Sequence, residues 1–295
     1  MAPLALPIDL EREIFECAAL CRPVGIPALM LVAWRVKTWV EPLLYRTIVL
    51  WPTHRFASMP ERIDRQPTFL RKPLIQVIKS KPASFFHDSV RHLMIPEVPE
   101  NDTEGQFILS ACTGVEDLWI YQLPPYLLPF TRNLPLRRLH CGLTELFVSK
   151  DVDFTHPLFA NITHLELIDS PKEFDQEKWS GLALIPNLTH LAFNGLNFLS
   201  LWAVLLDQCR SLRLLVCLVG SSHSEVILSL AARQDDERLP RDPRFVVMQC
   251  EEFEKDWQMG AHTGEDYWAR GEAVVAKHRS GEVDGAFRHN VLLRT

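Results

Sequence analysis

Two rhythms of apolar and polar residues run along this chain. Over residues 7–21, Leu10, Ile14, Cys17, Ala18 and Cys21 recur at helical intervals and predict an amphipathic helix. Pro7 suits its first turn, where the missing N–H costs nothing. Asp9, Glu11 and Glu13 fall near the positive end of the helix dipole. Pro23 and Gly25 break the helix. Leu29, Val32, Val36, Val40 and Leu43 then resume the helical spacing and predict two further helices, over about 27–34 and 35–45. The segment "YRTIVLW", 45–51, is rich in β-branched residues and predicts the start of an extended strand.

From residue 90 a shorter pattern repeats. "VRHLMI", "VEDLWI", "LRRLHC", "ITHLEL", "LTHLAF" and "LRLLVC" all read apolar-x-x-Leu-x-apolar. Their central leucines are Leu93, Leu118, Leu139, Leu165, Leu191 and Leu215, separated by 25, 21, 26, 26 and 24 residues. A degenerate seventh unit, "FVVMQC", starts at Phe245. The spacing matches leucine-rich repeats, whose period is roughly 20–29 residues. Each unit predicts a short strand with alternate residues on one side and the leucine in a shared core. One such unit cannot bury its apolar face alone, so neighbours must stack. Helix-like segments such as "FILSACTG" and "LWAVLLDQCRS" lie between them. Only Asn194 stands where an asparagine ladder would run; Pro96, Tyr121, Gly142, Ile168 and Leu218 occupy the equivalent places, so the repeats are irregular.

Beyond residue 250 the chain turns acidic, with Glu251, Glu252, Glu254 and Asp256, and a helix is predicted over about 264–279. Trp268, Ala269, Val274, Val275 and His278 suit it to cap the end of the repeats. The fold expected is α/β: a short N-terminal three-helix unit, then an irregular leucine-rich-repeat solenoid, then a C-terminal capping helix. The corresponding divisions are 1–50 helical, 51–89 a basic linker or first cap, 90–250 about six to seven repeats, and 251–295 the acidic cap.

Composition narrows the function classes. The chain has 295 residues, 47% apolar and 23% charged, with a formal net charge of −6. That balance suits a folded domain and does not favour nucleic acid as partner. Between Pro52 and Pro82 seven Lys/Arg face two Asp/Glu, but no aromatic platform accompanies them. The most apolar stretch, "IPALMLVAW" at 26–34, ends at Arg35 and Lys37, well short of a membrane span. Acidic residues at 9, 11 and 13 fall where a secretory signal would be apolar, so a cytoplasmic or nuclear protein is expected. The seven cysteines form no C-x-x-C and read as reduced thiols. The sequons at Asn101, Asn161 and Asn187 are then without consequence.

The chain carries few residue patterns that point to chemistry. There is no G-x-G-x-x-G, no Walker lysine motif, no H-E-x-x-H and no G-x-S-x-G. "GSSHSE" at 220–225 puts serines beside His223 and Glu225, but triad members must converge from separate elements. No catalytic residue, metal ligand or cofactor is expected. His92, His164 and His190 precede repeat leucines at equivalent positions, as a ladder able to bind metal or sense pH, or as partly exposed strand residues. Trp119, Tyr121 and Glu166 are candidates to line a concave binding face.

The first 50 residues carry a resemblance. Leu6-Pro7 opens the segment, Leu10 and Ile14-Phe15 follow, then the Pro/Gly break, Leu29, Leu31-Val32, Arg35, Trp39 and the closing Leu44-Tyr45. In order and spacing this resembles an F-box. Joined to "EPLLYRTIVL", irregular repeats and a Trp-containing C-terminal helix, it is similar to the F-box-like proteins of mushroom-forming fungi. The resemblance implies a non-catalytic substrate-recognition subunit of an Skp–cullin–F-box ubiquitin ligase. Its target would be a protein held on the repeat surface. It also implies Leu6, Pro7, Leu10, Ile14 and Val32 as the residues that meet an Skp-type adaptor. The alternative is a repeat protein that binds partners with no ligase role and uses its N-terminal helices as a cap.

Overall fold

The computed structural model describes residues 6–51, 67–143, 146–147, 152–168, 179–195, 199–220, 240, 242–281 and 291–292. The chain forms two compact units, Met1–Glu116 and Asp117–Thr295.

In the first unit, helix α1 spans Ile8–Cys21 and starts directly after Pro7. It ends where Arg22, in a non-helical conformation, precedes Pro23, because the residue before a proline is driven out of the helical region. A single 3₁₀ turn, Pro23–Gly25, leads into a four-residue helix α2, Ile26–Leu29. The second helix is therefore shorter than its periodicity predicts. Ala33 is fully extended and serves as the start of α3, Trp34–Leu44, so residues 30–33 turn the chain instead of continuing α2. Ala19, Ile26, Val36 and Val40 form the core of this helical group, with Phe15, Leu29, Trp39 and Leu43 packed around them. Glu11 on α1 accepts two hydrogen bonds from the Arg35 guanidinium on α3, at 2.7 and 3.1 Å. Strand β1, Thr47–Val49, follows α3 after two residues. Helices α4 (Arg71–Ser80) and α5 (Ala83–Ser89) lead to β2, His92–Ile95, which pairs with β1 in parallel. Helix α6, Thr103–Ala111, is capped by the Asp102 carboxylate, which accepts from the Gly105 N–H and also pairs with Arg71 at 2.6 Å.

Among the described residues the second unit is built on seven strands: β3 (Asp117–Gln122), β4 (Arg138–Gly142), β5 (His164–Leu167), β6 (His190–Asn194), β7 (Leu214–Val219), β8 (Phe245–Gln249) and β9 (Val291–Leu292). All pair in parallel and in chain order. Register aligns Leu118, Leu139, Leu165, Leu191 and Leu215 across five strands. Those leucines, and Leu93 on β2, are fully buried. Helices and 3₁₀ turns alternate with the strands, among them α7 (Leu128–Thr131) and α8 (Leu199–Gln208). Near the C-terminus come α9 (Phe253–Thr263) and α10 (Tyr267–Ser280). The acidic segment 253–263 is thus itself a helix.

This arrangement corrects the expected architecture. The α/β class stands, but an F-box-like helical unit followed by an irregular leucine-rich-repeat solenoid with a capping helix is not what forms. The finding is an all-parallel sheet with interleaved helices. Among the described residues the three N-terminal helices share their compact unit with β1, β2 and the helices α4, α5 and α6. Nor does the C-terminal helix close the end of the strand array, because β9 pairs with β8 there. Instead α10 lies flat on the sheet. Tyr267, Trp268 and Val275 pack on Ala192, Leu214, Val216, Val246 and Met248. Gly271 makes that approach possible: a Cβ there would meet the Leu214 Cδ2 atom at 2.7 Å. The physical reason is the strand alternation, which gives the sheet a second apolar face on β6–β8 that must also be covered.

Candidate functional site

Two regions concentrate side chains with something to bind. The first is the outward face of the N-terminal helices. While Val36 and Val40 are sealed, Leu31 is 87%, Val32 61% and Ile14 57% exposed. Leu6, Pro7, Leu10, Ile8, Leu20 and Trp34 are exposed as well. The five residues that the resemblance assigns to an adaptor, Leu6, Pro7, Leu10, Ile14 and Val32, therefore all stand in water. Helical geometry explains this on α1. The short core-facing stripe is filled by Phe15 and Ala19, and Leu10 and Ile14, four residues apart, stack on another side of the cylinder. Single exposed apolar residues are ordinary; a contiguous group marks an interaction surface. Lys37 lies over the exposed Trp34 ring at 5.0 Å.

The second region lies under α9 and α10. Apart from Trp119, the strand positions that alternate with the aligned leucines are polar on β3–β5 and at the start of β6: Asp117, Arg138, His140, His164, Glu166 and His190. His140 is almost completely buried. Its Nδ1 hydrogen-bonds the Glu166 carboxylate at 2.7 Å, and its Nε2 lies 3.4 Å from Asp117, an ion pair rather than a well-formed hydrogen bond. The helices complete the cluster. The Trp257 indole N–H donates to Asp117 at 2.9 Å, and the Tyr267 hydroxyl donates to Glu166 at 3.0 Å. Asn194 donates to the other Glu166 oxygen at 3.0 Å. Arg138 pairs with Asp266 at 2.7 Å, and the same Asp266 caps α10 by accepting from the Ala269 N–H. Asp256 joins α9 to α10 by accepting from the Tyr267 N–H and from Arg270.

Burial pushes the His140 imidazole toward the neutral form, but the close Asp117 carboxylate, the hydrogen bond to Glu166 and both negative charges outweigh it and raise its pKa to about 9. His140 is thus an imidazolium at neutral pH, held between two carboxylates. His164 and His190 behave oppositely. Their rings stack at 4.0 Å with 7° between planes, and the Trp268 ring stands nearly perpendicular to both. Burial first, then the neighbouring His190, Arg138 and His140 charges, depress His164 to about 2. Burial also lowers His190, against the opposing pull of Glu272, whose carboxylate lies 3.0 Å from its Nε2. The two rings are neutral, with their Nδ1 atoms at 2.8 Å from the hydroxyls of Thr163 and Thr189.

The histidine ladder proposed from sequence is thereby split. His164 and His190 come together under α10, while His92 belongs to β2 of the first unit and aligns with Thr47. Among the described residues no group of three His, Cys, Asp or Glu side chains could hold a metal ion. Glu166 and Trp119 are buried, so they offer no open concave face; Tyr121 is exposed. The polar members of the second region point at one another, and the geometry fastens helices to a sheet. Residues 221–225 of "GSSHSE" lie outside the described residues. Sequence reading missed Asp117, His140, Asp256 and Asp266. The available signal was a charged or imidazole residue beside successive repeat leucines, with "DYW" at 266–268 as an aromatic helix start able to reach them.

No described helix is long and apolar enough to cross a membrane. No protein-family model matches the chain, and no curated protein matches it.

Proposed function

We propose that this protein is a non-catalytic recognition subunit whose N-terminal helices dock on an Skp-type adaptor of a cullin ubiquitin ligase. The observation that carries the reading is the coincidence of two things at the same residues. Leu6, Pro7, Leu10, Ile14 and Val32 are those that the F-box resemblance assigns to the adaptor, and all are exposed on a well-packed helical group. Burying one such aliphatic side chain stabilises a complex by about 1.5–3 kcal/mol, and interface energy concentrates in a few anchors. Docked in this way, the chain would hold a target protein near a ubiquitin-charged enzyme and raise the local concentration of acceptor lysines.

Affinity capture of the intact chain tests this against Leu10→Glu and Ile14→Glu. Recovery of an Skp-type adaptor with its cullin by the intact chain, lost in both variants while their helical circular dichroism is retained, is the expected result. If the intact chain recovers no such adaptor, the proposal fails.

A further inference from the structure

The candidate docking residues lie on two segments: Leu6, Pro7, Leu10 and Ile14 around the start of α1, and Val32 in the turn before α3. A partner that meets both gains most when the two segments are already held in one arrangement. Between residues 6 and 14 every residue is exposed except Glu11, which is half-buried. The core begins later on α1, with Phe15 and Ala19. Terminal turns with so little buried surface open readily. Among the described residues, the side-chain bonds that tie these turns to another element run from Arg35 to Glu11. The Arg35 Nη2 donates to Oε1 at 2.7 Å and Nε donates to Oε2 at 3.1 Å. Two parallel bonds of this kind fix direction as well as distance. Arg35 stands in the first turn of α3, which has no acidic residue and no side-chain cap. A cation there opposes the helix dipole, so its counterpart on α1 accounts for it. The Glu11 N–H in turn donates to the Pro7 carbonyl at 3.0 Å, which extends the hold back to Leu6-Pro7.

We propose that Glu11 and Arg35 are positioning residues for adaptor docking, holding the first two turns of α1 on α3 so that Leu10, Ile14 and Val32 form one preset face. This inference rests on the docking function proposed above. Without the pair the helical group stays folded, because Val36 and Val40 of α3 still pack with Ala19 and Ile26. The first turns of α1 then fray, and a partner must order them as it binds. That ordering is subtracted from the affinity. Exposed ion pairs add little to global stability. The effect of this one therefore belongs to local opening and to association, not to unfolding. Because the pair is solvated, its hold weakens as salt rises.

Amide hydrogen exchange of the full chain reads the hold without any adaptor. The amides of residues 11–14 should exchange about fivefold faster in Glu11→Ala and in Arg35→Ala, with those of residues 39–44 unchanged. Equal exchange in the intact chain and both variants would overturn the proposal. Binding is then titrated with a purified Skp-type adaptor. Affinity should fall by a similar factor in either variant and no further in the double alanine variant, since the two residues act as a unit. Glu11→Arg combined with Arg35→Glu rebuilds the pair with its charges exchanged. It should return both the slow exchange and the affinity to within about twofold of the intact chain. Slow exchange regained without affinity would mean that the two side chains meet the adaptor themselves, which overturns the positioning role. Failure to regain either overturns the pair. If the intact chain binds no adaptor while exchange responds as expected, the docking function fails and the pair is a hold on α1 alone.

Discussion

On α1, Leu10 and Ile14 stand in water, whereas on β4 and β5 His140 and Glu166 are sealed from it. Each placement is the reverse of what solvation alone would select. The difference lies in what completes each surface. The Asp117 and Glu166 carboxylates are met within the chain by donors from Trp257 and Tyr267, and Arg138 is met by Asp266, which offsets much of the cost of burying them. The apolar stripe of α1 has no such counterpart among the described side chains of its unit. A surface finished internally should govern stability, and one left open should govern association.

That contrast can be broken by substitution. The largest effect is expected at His140→Leu. It leaves Asp117 and Glu166 facing each other without the imidazolium and should destabilise the second unit by about 3–5 kcal/mol, read by urea unfolding with tryptophan fluorescence. A loss under about 1 kcal/mol would mean that the cluster is not tied by charge.

Next comes pH. His140 has a folded pKa raised to about 9, above its unfolded value, so its contribution is full below about 6.5 and lost as pH rises toward 9. His164 is depressed to about 2, so its contribution is full above about 6.5 and lost as pH falls. His190 adds to the acid loss, because its pKa is lowered too. Stability measured against pH should peak near 6.5 and fall on both sides by about 3 kcal/mol or more when the shifts are fully expressed. In His140→Leu the alkaline fall should disappear and the acid fall remain.

Gly271→Ala should cost about 1–3 kcal/mol, because the added methyl meets Leu214 and Met248 where α10 touches the sheet. Tyr267→Phe should cost about 1–2 kcal/mol by removing one donor from Glu166. At the other extreme, Ile14→Ala should change stability by no more than about 0.5 kcal/mol while weakening adaptor capture. An Ile14→Ala variant that unfolds like His140→Leu would show that the stripe is core after all.

Much of the local structure was legible in the chain. The break at Pro23 and Gly25, the start of α1 after Pro7 and the strands around Leu118, Leu139, Leu165, Leu191 and Leu215 follow from periods of 3.6 and 2 that burial imposes. The shortened α2 was not, since Leu31 and Val32 keep a helical spacing while the backbone turns. The architecture was misread for a related reason. A repeat of leucines specifies one face of a sheet and leaves open what covers the other. The covering helices find their partners by pairs such as Arg138–Asp266, 128 residues apart, which leave no local mark in composition or period. The exposed stripe of α1 was read from the F-box resemblance, because an amphipathic pattern does not say which apolar residues meet the chain's own core.

The bond from Trp257 to Asp117 spans 140 residues. At a ribosomal pace of roughly 5–20 residues per second, β3 emerges about 7–30 seconds before the helix that will cover it. Within that interval Arg138, His140, Glu166 and His190 join Asp117, all before the helices that cover them are made. On β3–β5 and at the start of β6 these five ionisable side chains make the face that is covered last the polar one, in contrast to its apolar continuation over Leu214, Val216, Val246 and Met248. The residues that lock the C-terminal helices in place are thus in the chain well before the helices that they hold.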